Sequence, residues 1–127
     1  MRIFICEHDN GRARSMQAIL SDYSYKVVTI EKNTDLFKRV NQQKPAVIII
    51  NEGFTDAAGI DTLNRLKNDP ATRDIPVIFI GRNEKILHYA QSSDHNKLEV
   101  VGEPVKIKNL RHYIDRWTTL KSIYLKH

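Results

Sequence analysis

Glu7, His8 and Asp9 follow the apolar run RIFIC; Asn51 and Glu52 follow AVIII; Gly81 follows PVIFI; Glu103 follows LEVVG. These positions are where the chain could do chemistry, because in parallel sheets the reacting crevice lies beyond the carboxyl ends of the strands. Glu7 or Glu103 can ligate a cation, and a carboxylate at such a crest can act as a covalent nucleophile. Asn51 cannot attack, since its amide nitrogen shares its lone pair with the carbonyl. What that amide offers is both donors and acceptors of hydrogen bonds. Glu7, His8 and Glu103 are metal-ligating types, yet their spacing matches no recognised motif, and a charged cleft without an ion is the plainer reading. His88 and His95 are too isolated to suggest zinc.

The elements that must position these residues can be read from periodicity. Residues 46–50 are apolar without alternation, as in a strand covered on both faces. Strands are expected at 2–6, 26–30, 46–50, 76–80 and 98–101. Met16, Ile19, Leu20 and Tyr23 share one face of a helix over 11–23, with Asn10-Gly11 as its cap. A second helix, capped by Asn33 or Thr34, turns Leu36, Phe37 and Val40 inward and stops before Pro45. Helices follow at 59–67 (Ile60, Leu63, Leu66 inward), 83–91 (Ile86, Leu87, Ala90) and 106–124 (Ile107, Leu110, Ile114, Trp117). Five βα units with short connections imply a parallel sheet with helices on both faces. The first, third and fourth strands are the most apolar and should be central.

At 127 residues, 41% hydrophobic and 28% charged, the chain has the size and composition of one globular domain spanning 1–127. No apolar run approaches the ~18 residues of a membrane span, and MRIFICEHD does not read as a signal peptide. Cys6, the single cysteine, falls on a central strand and reads as a buried small hydrophobe. Its lack of a partner fits a reducing cytoplasm. The net charge of +5 suits acidic partners, but no nucleic-acid recognition motif accompanies it, so nucleic acid is not the expected partner. EHDNGR after the first strand is no Gly-rich phosphate loop, which argues against a nucleotide-binding flavodoxin-like protein.

Over essentially its whole length the chain resembles the receiver domain of two-component response regulators. KNDPATRDIPVIFI resembles the segment leading into that family's fourth strand. PAVIII matches the third strand, and Gly59 stands where the family has a glycine eight residues past its phosphoacceptor. VGEPVKIKNL matches the last strand and its Lys-Pro turn. The resemblance implies a three-layer flavodoxin-like (βα)5 fold with strand order 2-1-3-4-5, and a cis bond before Pro104. It also implies a function: accepting a phosphoryl group from a histidine kinase onto an Asp, with Mg²⁺ held by an acidic pair. Mapped by the resemblance, the acceptor position is Asn51, the acidic pair is Glu7 and His8, the Ser/Thr position is Gly81 and the Lys position is Glu103. The aromatic of the fifth strand becomes Val100. The chain therefore resembles a degenerate pseudo-receiver, without catalytic activity or a required cofactor. Mg²⁺ is left only Glu7 and Asn51 as weak ligands. The runner-up is a true Mg²⁺-dependent phosphoacceptor using Glu52, Asp9 or Asp56 as a substitute acid.

Glu103 inverts the sign of the family's lysine. Two like charges ~4 Å apart repel by roughly 4 kcal/mol at an effective dielectric of ~20, so an arriving phosphoryl group would meet repulsion. The neutral Asn51 relieves part of that, and the pocket is expected to be held by hydrogen bonds around its amide.

What remains is a surface for a protein partner, a histidine kinase or an output protein. The resemblance points to the face made by the fourth helix, fifth strand and fifth helix. That face would carry Lys106, Lys108, Arg111, Tyr113 and Arg116, together with Lys85, His88, His112, Tyr89 and Trp117. Aromatic and arginine side chains are the usual interface anchors; the plainer reading puts Trp117 and one tyrosine in the core and leaves the rest as a solvated helix face. The tail over 121–127 either extends the last helix, where it could form a homodimer contact, or begins a longer protein.

Overall fold

Five short runs of β-branched and aromatic residues pair in parallel, in the order β2-β1-β3-β4-β5: β1 Arg2–Cys6, β2 Lys26–Ile30, β3 Val47–Asn51, β4 Val77–Gly81 and β5 Leu98–Gly102. The helices are α1 Asn10–Ser21, α2 Asn33–Gln43, α3 Gly59–Asn68, α4 Glu84–Ser92 and α5 Ile107–Leu125. This computed structural model describes residues 1–54 and 58–125, the side chains of Ile107 and of 119–125 excepted. Asp56 and the side-chain contacts expected of Ile107 and of the tail lie outside what is described, while the helix extension expected of the tail is seen as far as Leu125.

The sheet separates two apolar layers. Phe4, Cys6, Ile48, Ile50 and Phe79 face α2, α3 and α4 through Leu36, Val40, Leu63, Leu66 and Ala90. Ile3, Ile5, Val47, Ile49, Ile78 and Ile80 face α1 and α5 through Leu20, Leu110 and Ile114. A fully buried Ile or Phe is worth roughly 1.5–3 kcal/mol relative to exposure. The three central strands therefore carry much of the stability, and the loops at their carboxyl ends can vary in chemistry. The register sets those ends side by side: Cys6 opposite Ile50, Asn51 opposite Ile80 and Gly81 opposite Gly102.

Several local expectations need correction. Asp9, not Asn10, caps α1: its Oδ1 accepts the Arg12 N–H at 2.8 Å. Met16 and Leu20 face inward on α1 as expected, joined by the buried Ala13, while Ile19 and Tyr23 are exposed. Tyr23 follows the helix end because the chain turns through the left-handed Ser24 to enter β2. Asn33 is the first residue of α2, not its cap, and its Oδ1 accepts from Thr62 Oγ1 at 2.8 Å. β3 and β4 each run one residue further toward the crevice than their apolar runs suggest, so Asn51 and Gly81 are strand residues. The Glu103–Pro104 bond is cis.

Lys67 ties the far end of the molecule together. It is buried, and its Nζ donates to the carbonyls of Ile75 at 2.8 Å, Arg73 at 3.0 Å and Lys97 at 3.4 Å. Burial pushes its ammonium down to about 8.

Candidate functional site

The carboxyl ends of β1, β3, β4 and β5 bring Glu7, Asn51, Gly81 and Glu103 to one crevice. Asn51 is buried. Its Nδ2 donates to Glu103 Oε1 at 2.8 Å, and its Oδ1 accepts the Gly53 N–H at 2.9 Å. The amide is thus used in both directions. Glu103 has a side chain only 10% exposed and is gripped by two guanidinium groups: Arg12 NH1 reaches Oε1 at 2.9 Å and Arg82 Nε reaches Oε2 at 2.6 Å. Bonds of this charge-assisted kind are roughly twice as strong as neutral ones.

Glu7 is 3% exposed. Its Oε1 accepts the Asp9 N–H at 3.2 Å and lies 3.4 Å from His8 Nδ1 and 3.8 Å from Arg12 Nε. Its Oε2 has no partner among the described residues. Burial raises its pKa, against the lowering pull of the Asp9 N–H and of Arg12. The repulsion between the Glu7 and Glu103 carboxylates is answered by Arg12, which faces both. Glu7, His8 and Glu103, metal-ligating by type, are not gathered into one cluster. No three His, Cys, Asp or Glu side chains converge as one among the described residues, and a guanidinium occupies the space that a cation would share.

Glu52 points back over β4. Its Oε1 accepts the N–H groups of Arg82 at 2.8 Å and Asn83 at 3.1 Å. A Cβ at Gly81 would lie 2.7 Å from Glu52 Oε2. The Glu52 carboxylate therefore fills the space where a hydroxyl-bearing side chain at 81 would begin. Gly59 is required for a different reason: a Cβ there would sit 2.3 Å from the Asn51 carbonyl oxygen. Asp9 is engaged as the cap of α1.

The expected partner face divides. Lys106, Lys108, Arg111 and Arg116 are exposed and Tyr113 is half-buried. Arg111 turns to the α1 side, with its guanidinium 3.9 Å from the centre of the Tyr23 ring and 3.5 Å from Asp115, which also accepts from the Tyr25 hydroxyl. Arg116 crosses to β5, bonding Glu99 at 2.7 Å. Tyr113 and Trp117 pack against the α1/α5 layer. Tyr89 lines the groove between α3 and α4 with Asn64, Asn68 and His95, whose Nε2 is 3.0 Å from Asn64 Oδ1.

Arg12 and Arg82 are the site residues that sequence reasoning missed. A signal existed: Arg82 directly follows Gly81, and Arg12 lies in the first turn of the helix entered from Glu7, so both were already at the crevice.

Residues 3–115 match the family described as the response regulator receiver domain. The chain belongs to that family. Receiver domains act in two-component signalling and interact with histidine kinases or output proteins. This receiver is 24% identical over 110 residues to the transcriptional regulatory protein KdpE of Staphylococcus aureus, covering 87% of this chain and 46% of that protein. It is 24% identical over 129 residues to the 3',5'-cyclic-nucleotide phosphodiesterase regA of Dictyostelium discoideum, covering 98% of this chain and 16% of that protein. The chain thus spans less than half the length of these relatives. Among solved structures, the response regulator receiver domain protein of Clostridium thermocellum superposes with a TM-score of 0.83 at 16% identity, covering 97% of this chain and 98% of that one. No helix among the described residues is long and apolar enough to cross a membrane.

Proposed function

We propose that this receiver domain signals through protein–protein contact without accepting a phosphoryl group. The observation that carries the reading is the bond between Asn51 and Glu103. The residue at the end of β3 is an amide, and it is engaged with a carboxylate that two arginines already neutralise. Glu103 thereby takes up the cationic groups that an incoming phosphoryl group would need.

The residues present do not fit Mg²⁺, the ion that the family implies. Magnesium requires near-octahedral oxygen ligation, usually with carboxylates. Here Asn51 Oδ1 is taken by the Gly53 N–H, and Arg12 stands beside both Glu7 and Glu103. A substitute acceptor has little support, since Asp9 caps α1 and Glu52 is bonded to two backbone N–H groups. The domain is read as cytoplasmic. Its partner is a kinase or output protein that meets the exposed side chains of Lys106, Lys108 and Arg116.

The test is intact mass of the purified domain after incubation with acetyl phosphate, with magnesium and beryllofluoride titrations followed by tryptophan fluorescence. No adduct and no Mg²⁺-linked change are expected. An acid-labile adduct of one phosphoryl group would overturn the reading.

A further inference from the structure

A cleft of about 220 Å³ lies beside the Asn51–Glu103 bond, between α1, the carboxyl ends of β4 and β5, and α5. Ile80 and Leu110, both buried, close its floor. Met16 and Val105, half-buried, and Pro104, exposed, form apolar walls. Arg12 reaches it from α1 and Arg82 from the end of β4. Glu103 also lines it, but both its oxygens are engaged: Oε1 by Asn51 and Arg12, Oε2 by Arg82. Arg82 is exposed and bonds Glu103 through Nε; its two terminal nitrogens make no hydrogen bond among the described residues. Those nitrogens form a planar fork that fits a carboxylate end-on.

We infer that this cleft binds a small amphiphilic carboxylate, an aryl or short branched alkyl acid. Its apolar part would lie against Met16, Pro104 and Val105, and its carboxylate on the free edge of Arg82. Two guanidinium groups against one carboxylate give the lining a net positive charge, which disfavours cations and metal ions. A purely polar anion would leave the apolar walls wet, so the ligand needs an apolar part as well. The volume is below the roughly 300–1,000 Å³ of larger small-molecule sites, which limits the ligand to about one ring or a short chain. A phosphoryl group would need both arginines at residue 51, where Glu103 stands; a ligand in the cleft needs only the edge that Glu103 leaves free. Binding here therefore does not depend on how residue 51 behaves toward phosphate, and either reading can fail alone. The Arg82 main-chain N–H is held by Glu52 at 2.8 Å, two residues before α4. Occupancy that draws the Arg82 side chain from Glu103 would thus be felt at the start of α4.

The test is a titration of the ¹⁵N-labelled protein with benzoate, reading backbone amide shifts. Benzamide serves as the neutral twin and acetate as the anion without an apolar part. Saturable shifts at Met16, Arg82 and Val105 are expected with benzoate, with binding of benzamide and of acetate about tenfold weaker or more. Arg82→Gln, at an exposed position, should weaken benzoate about tenfold, the scale of a lost charge-assisted bond. Val105→Asp, which sets a carboxylate on the wall, should weaken it at least as much. Shifts that never saturate, equal affinity for acetate or benzamide, or benzoate affinity unchanged by Arg82→Gln would overturn the inference.

Discussion

The amide of Asn51 and the carboxylate of Glu103 lie 2.8 Å apart, with the nitrogen as donor. Placing a second carboxylate at 51 turns this bond into a contact between like charges. Asn51→Asp should lower stability by roughly 1–3 kcal/mol at neutral pH, measured by urea denaturation. Combining it with Glu103→Lys should recover most of the loss, and the coupling between neighbouring sites should exceed about 0.5 kcal/mol. Additive effects would show that the two side chains do not interact.

Arg12 and Arg82 should not be equivalent. The Arg82 side chain is 76% exposed and that of Arg12 is 42% exposed, although both hold Glu103. Exposed pairs are screened and contribute at most about 1 kcal/mol. Arg12 also faces the buried Glu7, so Arg12→Ala leaves a buried carboxylate less compensated and should cost about 1–3 kcal/mol. Thermal denaturation of the two alanine variants separates these cases, and a larger loss from Arg82→Ala would contradict the assignment.

Glu7 should leave a pH signature. Burial raises its pKa in the folded state, so the native protein holds this proton more tightly than the unfolded chain does. The stabilisation is fully present below the ordinary glutamate range and is lost as pH rises through the raised native value. Relative to Glu7→Gln, the wild type should gain stability on acidification from neutral pH. Urea midpoints for both proteins across that interval check it, and a constant difference would rule it out.

Lys67→Met removes three bonds to main-chain carbonyls at once and sets an apolar side chain beside those partly buried groups. A loss of about 2–4 kcal/mol is expected. Amide hydrogen exchange should quicken first in the segments before β4 and β5 that the ammonium holds.

Gly59→Ala would bring a methyl group within 2.3 Å of the Asn51 carbonyl oxygen. Backbone on both sides of the clash gives little room, so a cost of about 2 kcal/mol or more is expected. Denaturation together with the amide shift of Gly53 would show whether the disturbance reaches the Asn51 side chain.

Much of this fold could be read from runs such as VIII and VIFI, because a strand covered on both faces has no polar positions to disguise it. The strand order, which composition and periodicity alone leave open, came from the resemblance to receivers. The helix ends were less legible. Asp9 and Asn10 are both good caps, and only geometry decides which oxygen reaches the Arg12 N–H. At the crevice, the sequence displayed Glu7, Asn51 and Glu103 because strands end there. It did not display Arg12 and Arg82, because long flexible side chains reach across several ångströms from positions that look solvent-facing. For the same reason Arg111 and Tyr89, near the expected partner surface in sequence, fall on other sides of the molecule.

The negative group gripped by Asn51, Arg12 and Arg82 is a side chain of the protein itself. It is made once, at translation, and no hydrolysis removes it. A phosphoryl signal carries its own clock, and Glu103 carries none. For a receiver read this way, the duration of a response is governed by how many copies exist and how long each partner stays bound.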